Sequence, residues 1–211
     1  PLCFGHGVST QWNKSKTKIW TEYVPMHTLN PIDPESKKYF GLLDNDFLKA
    51  EFLGSCPKDT LVKKLFNFIE VYENWIENDI SSKLDNFPQN SKEFASSNLK
   101  VCKTVIERIK LSIKNLEKDE YYRNAFHLAN LAISEQSSWK ENSKTFVWRP
   151  FQLAFILLVI ESFISEDRES KKVADLLWFP TGGGKTEAYL CIISFLLFKS
   201  SFQPKTISDP G

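Results

Sequence analysis

The densest chemistry in the sequence is the run Pro180-Thr181-Gly182-Gly183-Gly184-Lys185-Thr186, set between two apolar stretches. Adjacent glycines let a backbone curl with no Cβ in the way, so that its N–H groups converge on an anion. A helix starting at Lys185 adds the positive end of its dipole at the same point. Lys185 has the reach to meet the β- and γ-phosphates of a nucleoside triphosphate, and the Thr186 hydroxyl suits a bridging Mg2+. Thr181, Gly182, Gly183, Gly184, Lys185 and Thr186 are therefore read as a cradle for ATP and Mg2+, with Thr186 on the metal side. No residue of the chain is assigned a catalytic role, because no Asp-Glu pair follows an apolar strand after Thr186. The expectation is of a nucleotide-binding site without the residues that complete hydrolysis.

Such a cradle needs a strand before it and a helix after it. Residues 173–179 are almost continuously apolar, as a strand buried on both faces of a parallel sheet should be, and residues 188–198 are apolar nearly all round. Upstream, Pro150 sits where a helix begins, ahead of an apolar helix over 151–164 and a charged loop over 165–172. Farther back, Leu61, Leu65, Phe68, Ile69, Tyr72, Trp75 and Ile76 recur at helical spacing after Asp59, a good N-cap. A polar loop over 88–91 precedes a second stripe, Leu99, Cys102, Val105, Ile106, Ile109 and Ile113, and a third helix is expected over 120–135. Residues 59–136 thus read as an antiparallel helical unit. Before it, only 18–24 reads as a strand, followed by an irregular, Pro- and Gly-marked stretch. The expected fold is α/β: the start of a RecA-like P-loop lobe (146–211), preceded by a mainly helical domain (58–145) and an irregular arm with a small β element (1–57).

Trp148-Arg149-Pro150-Phe151-Gln152-Leu153 forms a second cluster, opening a helix upstream of the glycine run. It resembles the adenine-reading motif of superfamily 2 helicases, which also tolerate a residue such as Phe179 where the strict phosphate-loop pattern begins with glycine. That resemblance implies that Gln152 meets the adenine edge, for which an amide offers both donor and acceptor, and that Arg149 lies against the ring. Ala125-Phe126, Asn130 and Gln136, then Trp148 to Phe155, then residues 176–190 are similar to the DrmA family, the superfamily 2 helicase-domain proteins of the bacterial DISARM anti-phage system. The resemblance runs over about residues 123–198. It implies an ATP-dependent DNA helicase or translocase, with DNA as the polymer moved, a DrmB-like partner and a bacterial cytoplasmic location. Residues 184–190 also resemble replication-restart helicases of the PriA kind, the alternative motor reading. A third, non-enzymatic reading makes residues 59–136 a docking module.

Composition narrows these readings without choosing among them. Twenty-seven Lys and Arg against 26 Asp and Glu leave a net charge of +1, so no global basic field marks a polyanion partner. Lys100, Lys103, Arg108, Lys110 and Lys114 fall along the second helix, but with Glu107 and Glu117 among them they read as a solvated face. Cys3, Cys56, Cys102 and Cys191 are scattered and read as reduced thiols, and His6, His27 and His127 are too dispersed for a zinc site. The apolar run 151–164 is too short to span a bilayer and holds Gln152 and Glu161, so no membrane association is expected.

Overall fold

A computed structural model of the chain describes residues 8–22, 46–139, 145–165, 172, 174–177 and 184–202. The chain divides into two compact units, Pro1–Asp33 and Pro34–Gly211.

In the first unit, β1 (Ser9–Trp12) and β2 (Ile19–Glu22) pair antiparallel, with Ser9 opposite Glu22 and Trp12 opposite Ile19. The strand read from residues 18–24 is therefore present. Its partner, Ser-Thr-Gln-Trp, has no apolar alternation to announce it. Asn13 closes the turn: its side-chain oxygen accepts from the N–H groups of Thr17 at 2.8 Å and Lys18 at 2.9 Å. An asparagine side chain substitutes for backbone in this way, and here it holds Lys16 at φ 58°.

The second unit is helical. The helices are α1 (Ala50–Ser55), α2 (Lys58–Trp75), α3 (Gln89–Lys118), α4 (Glu120–Ser138), α5 (Pro150–Ile164) and α6 (Lys185–Phe202), with a π turn (Ile76–Ile80) and a 3-10 turn (Ser81–Asn86) following α2. Their apolar faces meet in one core running from Phe47 through Phe68, Ile109 and Phe126 to Leu157 and Phe195. α4 packs on both α1 and α6, while α3 packs on α2 and α5. α1 lies in the stretch read as irregular, and Gly54 explains why it exists. A Cβ there would stand 2.6 Å from Leu131 Cγ, so glycine permits the close approach of α1 to α4 rather than breaking a helix. The loop expected over 88–91 is instead the start of α3, with Pro88 as its cap, since proline is tolerated at a helix beginning. α4 starts at the Asp119 side chain, which accepts from the Tyr121 N–H at 2.8 Å.

A short ladder joins the residues that lead into α1 to those that lead into α5. Trp148 N–H donates to the Leu48 carbonyl at 2.7 Å, Ala50 N–H donates to the Phe146 carbonyl at 3.0 Å, and Lys49 bridges Val147. Trp148 is buried, with Nε1–H donating to Asn130 Oδ1 at 2.8 Å and Phe146 packed edge-on at 4.8 Å. Trp148→Phe deletes the indole donor and strands a buried amide oxygen, so a urea melt is expected to show a loss of about 2 kcal/mol.

The apolar run expected to be a buried strand behaves differently. Residues 174–177 carry no strand pairing. Asp175 and Leu177 turn inward, whereas Ala174 and Leu176 face out, Leu176 being 84% exposed. The inside-outside alternation of a strand is present without a ladder. A parallel strand takes its hydrogen bonds from neighbours distant in sequence, and among the described residues the one sheet is the β1–β2 hairpin. The described residues are thus mainly helical with a small two-stranded sheet. Among them, no helix is long and apolar enough to cross a membrane.

Candidate functional site

α5 and α6 lie together, and their first residues meet. Pro150 occupies the opening position of α5, where its missing N–H costs nothing. Gln152 then folds back on its own helix start: its Oε1 accepts from the Arg149 N–H at 2.8 Å, and its backbone N–H donates to the Arg149 carbonyl at 2.9 Å. The other end of the same amide, Nε2, donates to the Gly184 carbonyl at 2.5 Å. Gln152 is buried, so this side chain bridges the beginning of α5 to the residue immediately before Lys185. Each amide group keeps one further hydrogen-bonding position, a second lone pair on Oε1 and a second hydrogen on Nε2.

Gly184 shows why no other residue serves at this point. Its φ is +85°, and a Cβ would stand 2.5 Å from Gln152 Nε2 and 3.4 Å from Glu187 Oε2. Lys185 opens α6 half-buried, followed by exposed Thr186 and half-buried Glu187. Behind them Ala188, Cys191, Ile192 and Phe195 are buried and fix the helix, and Tyr189 meets Phe155 edge-on at 5.8 Å. Burial pushes the Cys191 thiol up to about 12, which makes it a packing residue rather than a nucleophile. Of the residues singled out from sequence, the structure brings together Arg149, Gln152, Gly184, Lys185 and Thr186. Thr181, Gly182 and Gly183 lie outside the described residues.

Sequence reasoning missed a second polar cluster. Arg108 of α3 donates through Nη1 and Nη2 to both carboxylate oxygens of Asp175, at 2.7 and 2.8 Å. Its Nε donates to Glu161 Oε2 at 3.2 Å, and Nη2 also donates to Ser162 Oγ at 2.8 Å. Glu161 is buried on α5, and the fork geometry of arginine is what lets one side chain serve two carboxylates. The Asp175 hydrogen bond, ahead of the opposing effect of burial, holds Arg108 above its ordinary value. The available signal was Asp175 itself, a lone charge inside an apolar run. Lys110 reaches Glu73 at 2.5 Å and Lys103 reaches Glu77 at 3.4 Å, so three of the five cations singled out on this helix pair with protein carboxylates, in keeping with a solvated or structural face.

No family model matches the chain. Over 216 aligned residues it is 32% identical to "DISARM protein DrmA" of Bacillus paralicheniformis, an alignment that takes in 92% of this chain. The chain spans about a fifth of that relative's length, 19%. The alignment reaches well beyond the stretch whose motifs suggested the resemblance. Across nearly all of its length, the chain is a relative of the DISARM protein DrmA.

Proposed function

We propose that the chain supplies the ATP- and Mg2+-binding half-site of an ATP-dependent DNA helicase or translocase working in DISARM-type anti-phage defence. The observation that carries this reading is the hydrogen bond from Gln152 to the Gly184 carbonyl, which joins two clusters the sequence keeps apart, at the N-terminus where Lys185 and Thr186 stand. Gly184 fits the role of a phosphate cradle, because its positive φ and the space a Cβ would fill leave backbone alone at that position. Similarity to DrmA supports the defence setting. ATP, when bound, brings the triphosphate that a motor couples to movement. Toward it, Gln152 offers its remaining lone pair and hydrogen to the adenine edge, with Arg149 against the ring. The backbone of Thr181, Gly182, Gly183 and Gly184 and the Lys185 ammonium take the phosphates, and Thr186 takes Mg2+. In this reading residues 146–211 open a RecA-like lobe whose strand over 173–179 is completed by neighbouring strands, with 58–145 and 1–57 as the helical and arm regions before it. DNA, a DrmB-like partner and the bacterial cytoplasm belong to the same proposal.

Titration with a fluorescent ATP analogue tests it. Lys185→Ala is expected to weaken binding about tenfold to a hundredfold, the range for losing a charge-assisted contact. Thr186→Ala is expected to abolish most of the Mg2+ dependence while leaving metal-free binding close to wild type. Indifference of the wild-type chain to ATP, with and without Mg2+, would remove the proposal and favour a docking module.

A further inference from the structure

The described residues ahead of the glycine run, 174–177, gain little from burial. Among them the most apolar surface, Leu176, is spent on solvent, and only Leu177 packs at the margin of the core. The strong attachment is polar: both oxygens of Asp175 are gripped by the Arg108 guanidinium. On the far side of the glycine run, Gly184 is gripped by Gln152. The two grips come from different helices, α3 and α5, and Glu161 links them, because it lies on α5 and accepts from Arg108 Nε.

We infer that Arg108 is a positioning residue for the nucleotide site: through Asp175 it fixes the chain on the approach to the glycine run, as Gln152 fixes it on the exit. The inference rests on the nucleotide reading given above and adds to it a role for the helical region 58–145. Bidentate arginine–carboxylate pairs are suited to this task, since they set direction as well as distance. Arg108 also satisfies the buried Glu161, so the cluster holds together when Asp175 is changed.

Asp175→Asn is the discriminating variant for that reason. It removes the charge on the approach segment and leaves the Arg108–Glu161 pair intact. In the full chain, the affinity for a fluorescent ATP analogue is expected to fall about tenfold, because binding must then order an approach segment that Asp175 no longer holds in place. The nucleotide-free melting temperature should move by no more than about 2 °C, as expected when less than about 1 kcal/mol of folding stability changes. Asp175→Glu, which restores the charge, should recover part of the affinity. Asp175→Asn binding like wild type would overturn the inference, and so would a loss of affinity that merely follows unfolding or that Asp175→Glu fails to relieve. Lys185→Ala separates the two levels. If wild type binds, Lys185→Ala does not and Asp175→Asn does, only the positioning role is lost; if wild type itself does not bind, both readings fall.

Discussion

Gly184→Val is expected to lower the affinity for ATP by more than about a hundredfold, the largest effect of any single change at this site. Two separate costs combine. A β-branched side chain at φ +85° is strained in any surroundings, and this one would point its Cβ into Gln152 Nε2, 2.5 Å away. Relief of that clash means withdrawing the Gln152 amide from the Gly184 carbonyl, which leaves the buried Gln152 donor unpaired at about 1–3 kcal/mol. The site then loses both its backbone curl and the link between α5 and α6. Calorimetric titration with a slowly hydrolysed ATP analogue gives the readout, and an affinity within a few-fold of wild type would show that the bridge has no part in binding. Because the clash is with Gln152, adding Gln152→Ala should restore some folding stability to the variant without restoring its affinity.

Arg108→Met should cost the fold about 3–5 kcal/mol, the range seen when one partner of a buried ion pair is removed. The cost comes from what is left behind: Glu161 is buried on α5, and Asp175 faces the same vacancy. Replacing Glu161 as well, as in Arg108→Met with Glu161→Met, removes the more buried of the two uncompensated charges and should recover part of the loss. Urea denaturation at neutral pH measures both variants. A single variant as stable as wild type would mean that water already solvates this cluster.

The helices were legible where local signals agreed. Asp59 and the stripe beginning at Leu61 gave α2, with the N-cap displaced to Pro57, and Pro150 gave the start of α5. α1 was hidden because its glycine and the following proline resemble breakers, and only the tertiary contact with Leu131 shows that Gly54 is there for closeness. The run 173–179 reads as a strand from its own residues, but the ladder that makes a strand is contributed from elsewhere, and composition does not carry that information. At the site, the chemistry of Gln152 and Gly184 was readable as residue types. Their mutual hydrogen bond was not, since it depends on which way a buried amide points. Arg108 was read as one more cation in a basic series, and its distinction appears only where α3 crosses α5.

The ladder between residues 48–50 and 146–148 makes the beginning of α5 a stiff continuation of α1, despite the long stretch of chain between them. His127 Nδ1 lies 2.9 Å from the Leu53 carbonyl and Leu131 sits against Gly54, so sliding and rotation of α4 along α1 are both blocked. Arg149 and Gln152 therefore ride on a braced frame, which holds the Gln152 side of its bridge to Gly184 in place.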